Sequence, residues 1–197
     1  MSTFVTTTPN ISRGASLQRP SIVAAWVDQG IGEVGMHKYI KERFGTLSTF
    51  ITQWFFFDSS ENFTFYIENN PNIKLICVMS GGMSRLLVPK HSNLGALHTV
   101  YVFCADIERA RTSMADETKV KGIFNIEDAL YEQMADDLSK LLVEEGIALA
   151  QLDERSLARS HYEEAKRLLS TQAKNVSSDD EKARMEEIDV RLDQLLV

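Results

Sequence analysis

The sequence predicts an α/β fold with a five-stranded, mostly parallel sheet covered by helices on both faces, followed by a three-helix C-terminal extension. Short apolar runs alternate with helix-forming segments as far as Phe124, and helical periodicity without strands takes over from Asn125. Strands alternating with helices at this spacing are typical of parallel βαβ units. We therefore expect a disordered leader at 1–20, an α/β domain at 21–124 and a helical extension at 125–197.

The five strands are predicted where apolar, β-branched or aromatic residues cluster between turn-forming residues, at 21–27, 51–57, 73–79, 100–104 and 120–124. Right-handed crossovers between parallel strands place the connecting helices on both faces of the sheet. For this five-stranded plan we expect the flavodoxin-like strand order 2-1-3-4-5.

Helices are predicted between the strands and throughout the extension. The first begins near Met36, the second follows the capping residues Asp58-Ser59-Ser60-Glu61, and another covers 107–115. Pro89 is expected to limit any helix in 83–97 to its first turns or to start a loop. In the extension the predicted helices run from a cap at Asn125 to Leu152, from 157 to 170, and from a cap at 177–180 to Val197.

Composition excludes several functional classes. The net charge of -7 is unevenly distributed, with 12 Lys and Arg against 10 Asp and Glu through Phe124, and nine against 18 from Asn125 onward. Neither part has the basic patch that nucleic-acid binding requires. No apolar run approaches the length of a membrane span, and residues 1–19 lack the apolar stretch of a secretory signal. Cys77 and Cys104 lie in apolar runs and are expected to be free thiols, so we expect a cytoplasmic protein.

No metal or cofactor is predicted. The four histidines, His37, His91, His98 and His161, are dispersed and lack the Cys, Asp or Glu spacing of a metal site, so surface or packing roles are expected. Neither cysteine has a nucleophile signature, and Ser80-Gly81-Gly82 lacks the leading glycine of a hydrolase elbow. Hydrolase chemistry is therefore not expected.

The strand ends offer a weak candidate for a small-ligand site. Ser80-Gly81-Gly82 follows the third strand, where glycines let backbone N–H groups approach an anion at a helix N-terminus. Asp28 follows the first strand, on the rim where open α/β sheets bind ligands. The structural alternatives are a tight strand-to-helix turn and a solvated loop aspartate.

The spacing of small and large residues in the extension fits two closely packed helices. Relative to Gly146, the positions of Leu142, Leu149, Ala158, Tyr162 and Ala165 place small residues where two antiparallel helices approach and larger ones where they fill the gap. This spacing resembles one tetratricopeptide repeat (TPR) of about 34 residues. It departs from the pattern at Glu145, where Leu is usual, and at Ser170, where Pro is usual. An ordinary helical hairpin obeying the same packing rules is the alternative.

A single repeat cannot bury its own faces. Either the extension packs on the α/β domain, or the chain is the front piece of a longer array. The third helix would then act as a cap or as the first helix of the next repeat.

The strand plan resembles the receiver domains of phospho-signalling and the Toll/interleukin-receptor (TIR) domains, some of which cleave NAD. A receiver has a phospho-accepting Asp after the third strand, where this chain has Ser80, and beyond Asp28 and Glu33 no acidic pair follows the first strand. For NAD cleavage the nearest positional counterpart of the catalytic Glu is Glu61. The runs at 75–82, 100–104 and 119–124 also resemble receiver-like modules that precede TPR arrays or ADP-ribosyltransferase domains in large eukaryotic proteins, which implies a regulatory role.

Two functions follow from these observations. The leading one is a non-enzymatic signalling or scaffolding module that binds a protein partner through its TPR-like helices. The alternative is a nucleotide-responsive or NAD-cleaving TIR-like domain that uses the loops at Asp28 and Ser80-Gly81-Gly82. The sequence leaves the oligomeric state open.

Overall fold

The structure is a computed structural model that describes residues 19–31, 38–172 and 179–196. The strands within these residues are β1 (Ser21–Val27), β2 (Trp54–Phe57), β3 (Ile73–Ser80), β4 (Leu97–Phe103) and β5 (Val120–Phe124). The helices are α1 (Lys38–Gly45), α2 (Ser60–Asn69), α3 (Gly81–His91), α4 (Ile107–Ser113), α5 (Glu127–Gln151), α6 (Arg155–Gln172) and α7 (Asp179–Gln194). The predicted leader, apart from Arg19 and Pro20, lies outside the described residues, as do Glu33, His37 and the predicted caps Ser177 and Ser178.

The sheet confirms the predicted α/β class and strand order. Its strands run β2-β1-β3-β4-β5, and every neighbouring pair is parallel. In the centre, Val27 of β1 aligns with Phe57 of β2 on one side and with Met79 of β3 on the other. All of β1 except Ser21 is buried, as expected for a central strand covered on both faces.

Alternating side chains of the strands pack into two separate hydrophobic cores, one on each face of the sheet. Ala24 and Trp26 belong to a core that includes buried residues of α1, α5, α6 and α7. Val23 and Ala25 belong to the opposite core, beneath α2, α3 and α4. Because side chains of a strand point to alternate faces, β1 anchors both layers of helices.

Trp26 is the centre of the first core and is only 1% exposed. Its ring makes edge contacts with Phe44 of α1 at 5.4 Å and with Phe103 of β4 at 5.8 Å between ring centroids. Phe44 in turn contacts Tyr131 of α5 at 5.4 Å. These edge-to-face pairs link the sheet to both helices that cover it.

The apolar face of α6 is covered within the chain. Leu168 and Leu169 are buried in the same core as Trp26. Polar contacts fix the position of the helix: the Ser48 hydroxyl donates to Glu164 Oε1 at 2.6 Å, and Arg167 Nη2 donates to the Leu47 carbonyl at 2.6 Å. The C-terminal helices therefore pack on the sheet layer, which is the first of the two arrangements left open by the sequence.

Three local predictions are corrected. Pro89 lies inside α3, which continues to His91, because a proline in the last turn removes only one helical N–H donor. The N-cap of α5 is Ile126 without a side-chain hydrogen bond, one residue after the predicted Asn125. Cys104 lies just beyond β4 and is partly exposed, whereas Cys77 is buried; both are free thiols.

None of the helices in the described parts of the chain is long and apolar enough to cross a membrane.

Candidate functional site

The first candidate site is the crevice at the carboxyl ends of β1 and β3. β2 lies on one side of β1 and β3 on the other, so the strand order reverses between β1 and β3. Open α/β sheets bind ligands at such a point. Val27 and Met79 are aligned in the sheet. Asp28 and Ser80, each the next residue along, therefore lie at neighbouring strand ends, and Gly81 and Gly82 follow as the first residues of α3.

Asp28 is engaged in closing its own loop. Its side-chain Oδ1 accepts from the Gly30 N–H at 2.8 Å, and its carbonyl accepts from the Ile31 N–H at 3.0 Å. Its own N–H donates to the Phe57 carbonyl at 3.0 Å. This arrangement is a side-chain-stabilised turn at the end of β1.

No side chain caps the start of α3. Ser80 is the N-cap, but its side chain makes no capping hydrogen bond, so the first N–H groups of α3 are not satisfied in that way. A Cβ at Gly81 would lie 3.0 Å from Cys104 Cβ, whereas a Cβ at Gly82 would have no atom within 4 Å. Gly81 thus permits close packing against β4, and the space beside Gly82 is open. Chemically this is a helix N-terminus that an anion can approach.

Neither cysteine is activated as a nucleophile. Burial raises the pKa of the Cys77 thiol. For Cys104, burial and the nearby Asp106 carboxylate raise the pKa and outweigh the opposing influence of Arg85. Because the thiolate is the reactive form, raised pKa values make both thiols poor nucleophiles at neutral pH.

The second candidate site lies in the C-terminal helices. The predicted packing residues lie in α5 and α6, and all six are buried: Leu142, Gly146, Leu149, Ala158, Tyr162 and Ala165. A Cβ at Gly146 would lie 2.5 Å from Tyr162 Cε1, so only glycine admits this ring. The Ser139 hydroxyl donates to the Ala165 carbonyl at 3.0 Å. These contacts define a close-packed antiparallel helical hairpin.

Glu145, the first departure from the repeat pattern, ties this hairpin to the sheet. Its Oε1 lies 2.5 Å from Lys74 Nζ of β3, and its Oε2 lies 3.5 Å from His161 Nε2 of α6. Burial opposes ionisation of Glu145, but hydrogen bonds from His161 and Lys74 outweigh it and lower the pKa of the carboxyl. Sequence reasoning did not identify this role, because the two partners are distant along the chain.

A groove of about 360 Å³ opens where the three C-terminal helices meet, and we call it the tip groove. It is lined by Ile147, Ala150, Gln151, Asp153, Arg155, Tyr162, Arg191, Gln194 and Leu195. Next to its lining residues in the chain, Leu152 and Leu196 are 66% and 71% exposed.

The three histidines within the described residues have packing and hydrogen-bonding contacts. His91 Nε2 lies 3.0 Å from Thr64 Oγ1, and His98 Nδ1 lies 2.9 Å from Thr99 Oγ1. The His161 ring is in edge contact with the Phe50 ring, with 4.5 Å between the ring centroids. Within the described residues, no three His, Cys, Asp or Glu side chains are grouped so as to hold a metal ion.

Comparison with known proteins adds no relative: no family model, curated protein or solved structure matches the chain.

Proposed function

We propose that the chain is a non-enzymatic signalling or scaffolding module that binds a protein partner through its TPR-like C-terminal helices, at the tip groove. The observation that carries this proposal is the groove between α5, α6 and α7, together with two exposed leucines, Leu152 and Leu196, that are next in the chain to residues lining it. Exposed apolar side chains at a concave surface are typical of protein-binding sites.

The packing of α5 and α6 supports the choice of this surface. Their apolar faces are already buried against each other and against the sheet, so those faces are occupied. A single TPR-like hairpin needs neighbours to bury its faces, and in this chain the sheet layer and α7 fill that role. What remains for a partner is the end of the helices, where the tip groove lies.

The outer face of α7 supports the same choice. Lys182, Glu186 and Asp193 are exposed there, whereas Ile188 is buried toward the other helices. A polar outer face is typical of the terminal helix of a repeat array. We therefore propose that α7 acts as a cap and that partner binding occurs at its end.

The lining of the tip groove indicates the chemistry of the partner. Ile147, Ala150 and Leu195 offer apolar contact, while Arg155 and Arg191 are each paired with a carboxylate, Asp153 and Glu187. A short amphipathic segment with an apolar anchor fits this lining, in the manner of a helix bound in a groove.

Substitutions test this proposal better than truncation. Removing residues 125–197 would uncover Ala24 and Trp26, which share a core with α5 and α6. We therefore compare Leu152→Glu and Leu196→Glu with Val190→Glu, a matched control that is 56% exposed on α7. Affinity capture with the full chain should recover the same partners with wild type and with Val190→Glu. Each leucine variant should reduce recovery at least about tenfold, since a charge placed in an apolar contact costs more than about 1.4 kcal/mol.

Circular dichroism and urea unfolding of each variant provide the folding control. Equal recovery by all three variants would contradict the proposal, as would loss of partners with Val190→Glu alone.

The second candidate function is that of a nucleotide-responsive or NAD-cleaving domain. Its supporting observation is the start of α3, where no side chain caps the helix and the approach to Gly82 is open. Glu61, the nearest counterpart of a NAD-cleaving Glu, lines a different groove with Leu86 and Lys90, which argues against cleavage. Thermal-shift measurements with ATP, GTP and NAD test this function. A nucleotide at about 100 times its dissociation constant raises the free energy of unfolding by about 2.7 kcal/mol. A shift that Gly82→Val abolishes would favour this function, and no shift would count against it.

A further inference from the structure

A continuous groove runs along the seam between α5 and α7. Three adjoining cavities of about 380, 330 and 360 Å³ form it, and the last of them is the tip groove. Arg184 lines the first and second cavities, and Ile147 lines the second and third, so the three are connected. Along α5 the lining extends from Ala129 to Gln151, a rise of about 33 Å. We call this surface the α5–α7 groove.

The centre of the α5–α7 groove offers apolar surface. Val143 and Ile147 of α5 line it together with Ile188 of α7. Ile188 is buried, whereas Val143 and Ile147 keep part of their surface exposed. Apolar surface left open in a groove favours an occupant that carries apolar side chains.

The α5–α7 groove carries a net negative charge. In the described part of the chain, seven acidic and four basic side chains line it. All four basic side chains are paired with carboxylates of the same lining: Lys140 and Arg184 with Asp136, Arg155 with Asp153, and Arg191 with Glu187. Glu144, at the centre of the groove, forms no ion pair with another described residue. An occupant with a cationic side chain and no acidic ones therefore fits this lining.

The chain that precedes β1 starts beside this groove. Arg19, the first described residue, donates from Nη1 to the Glu145 carbonyl of α5 at 3.4 Å. Glu144, the preceding residue of α5, lines the centre of the groove. The segment before Arg19 is therefore tethered at the edge of the groove. Phe4 lies 15 residues before Arg19. Because 15 extended residues span up to about 50 Å, Phe4 can reach any part of the groove.

We infer that the α5–α7 groove is a docking site for residues 4–17 of this same chain. The composition of this segment matches the lining, since Phe4, Val5, Ile11 and Leu17 are apolar, Arg13 is a cation, and no acidic residue occurs before Asp28. A tether holds such a segment near the groove at an effective concentration of about 1 mM, so weak contacts suffice for binding. A second copy or a separate protein lacks this advantage.

Docking of residues 4–17 also regulates the tip groove. Ile147 lines both the centre of the α5–α7 groove and the tip groove, so a partner at the tip groove has to displace the docked segment. This consequence rests on the proposed function, whereas the docking itself does not.

Photo-crosslinking of the full chain tests the docking without any partner. A photoreactive phenylalanine analogue replaces Phe4, and the protein concentration is varied. We expect an adduct within one chain, mapped by mass spectrometry to 129–151 of α5 or 179–195 of α7, with a yield that does not depend on concentration. The same analogue at position 65 is the control, because Phe65 is 72% exposed on α2, over the opposite core. It should give no adduct with α5 or α7.

Charge reversal on each side of the contact provides the second measurement. Glu144→Lys should lower the yield of the position-4 adduct at least about threefold, because it puts a cation where the lining holds an unpaired carboxylate. Arg13→Glu makes the matching change in the docked segment and should lower the yield by a similar factor. Glu68→Lys, the same charge change on α2, should leave the yield unchanged. Circular dichroism of each variant provides the folding control.

Three results would overturn the inference: no adduct of position 4 with α5 or α7, an adduct formed only between two copies, or wild-type yields in both Glu144→Lys and Arg13→Glu. Because no partner is present in these measurements, their failure is distinct from a failure of partner capture at the tip groove.

Discussion

Glu145 of α5 and Lys74 of β3 form an ion pair with 2.5 Å between Oε1 and Nζ, and this pair joins the C-terminal helices to the sheet. The side chains are 15% and 27% exposed, so the contact is mostly removed from water. The same position is where the resemblance to a tetratricopeptide repeat expects a leucine. The departure therefore has a structural reason: the hairpin packs on a sheet that presents a lysine.

Replacing only one member of this pair should destabilise the protein. Glu145→Leu, which restores the repeat pattern, leaves Lys74 partly buried without its partner and should lower the free energy of unfolding by about 1–3 kcal/mol. Lys74→Met/Glu145→Leu should recover most of that loss, because replacing a buried pair by apolar residues is often nearly neutral. Urea unfolding of the single and double variants measures the difference. Equal losses in Glu145→Leu and the double variant would show that the pair does not stabilise the docked helices.

Gly146 should not tolerate even a methyl group. Gly146→Ala brings a Cβ to 2.5 Å from Tyr162 Cε1, and the buried ring has to move. We expect a loss of about 1–3 kcal/mol, despite the gain of up to about 1 kcal/mol in helix propensity. Urea unfolding provides the measurement.

Gly82→Ala is the matched control, because a Cβ there meets no atom within 4 Å. It should be neutral or slightly stabilising. If both alanine variants had the same stability as wild type, the close α5–α6 contact would be refuted.

Acid should weaken the docking of the C-terminal helices. Burial opposes ionisation of three carboxyls in this region, but hydrogen bonds outweigh it and lower their pKa values: Asp136 with Lys140 and Arg184, Glu145 with His161 and Lys74, and Glu164 with Arg167 and Ser48. Groups whose pKa is lowered by folding contribute stability above their ordinary pKa values, about 3.9 for Asp and 4.3 for Glu, and lose it as the pH falls through the lowered values.

The urea midpoint should therefore fall from about pH 5 toward about pH 3. Glu164→Gln should be less stable at neutral pH and should show a shallower fall, since it lacks one of the three groups. Parallel pH profiles for wild type and Glu164→Gln would be inconsistent with this origin of acid sensitivity.

Truncations should separate the contribution of α7 from that of α5 and α6. A chain ending at Gln172 loses the buried Ile188 and should stay folded with about 2–4 kcal/mol less stability. A chain ending at Phe124 exposes the core face that contains Ala24 and Trp26 and should not form a cooperative fold. Circular dichroism with urea unfolding distinguishes the two. A cooperative transition in the 1–124 chain would support the predicted division into an independent α/β domain and a separate extension.

The sequence predicted the sheet well because its signal is local. Each strand is a short apolar run, and the fifth strand was predicted with the bounds that the structure has, Val120–Phe124. The prediction for Pro89 was wrong because the sequence does not show where the helix ends. Pro89 lies in the last turn of α3, where a proline removes only one helical N–H donor. The contact between Lys74 and Glu145 joins residues 71 positions apart, and periodicity carries no information about such pairs.

The tip groove was hidden from the sequence for the same reason. Ile147 lies in α5, Tyr162 in α6 and Leu195 directly after α7, and only their packing brings them together. Of the residues singled out by the helical spacing, Gly146 and Tyr162 lie in close contact between α5 and α6, where a small residue lets two helices approach.

Site-specific photo-crosslinking tests the central claim most directly. A photoreactive phenylalanine analogue is placed at position 152, between two residues that line the tip groove, or at position 190, on the outer face of α7, in the full chain. The account predicts a covalent adduct with the captured partner from position 152 and none from position 190. Adducts from position 190 alone, or none from position 152 while wild type captures the partner, would contradict binding at the tip groove.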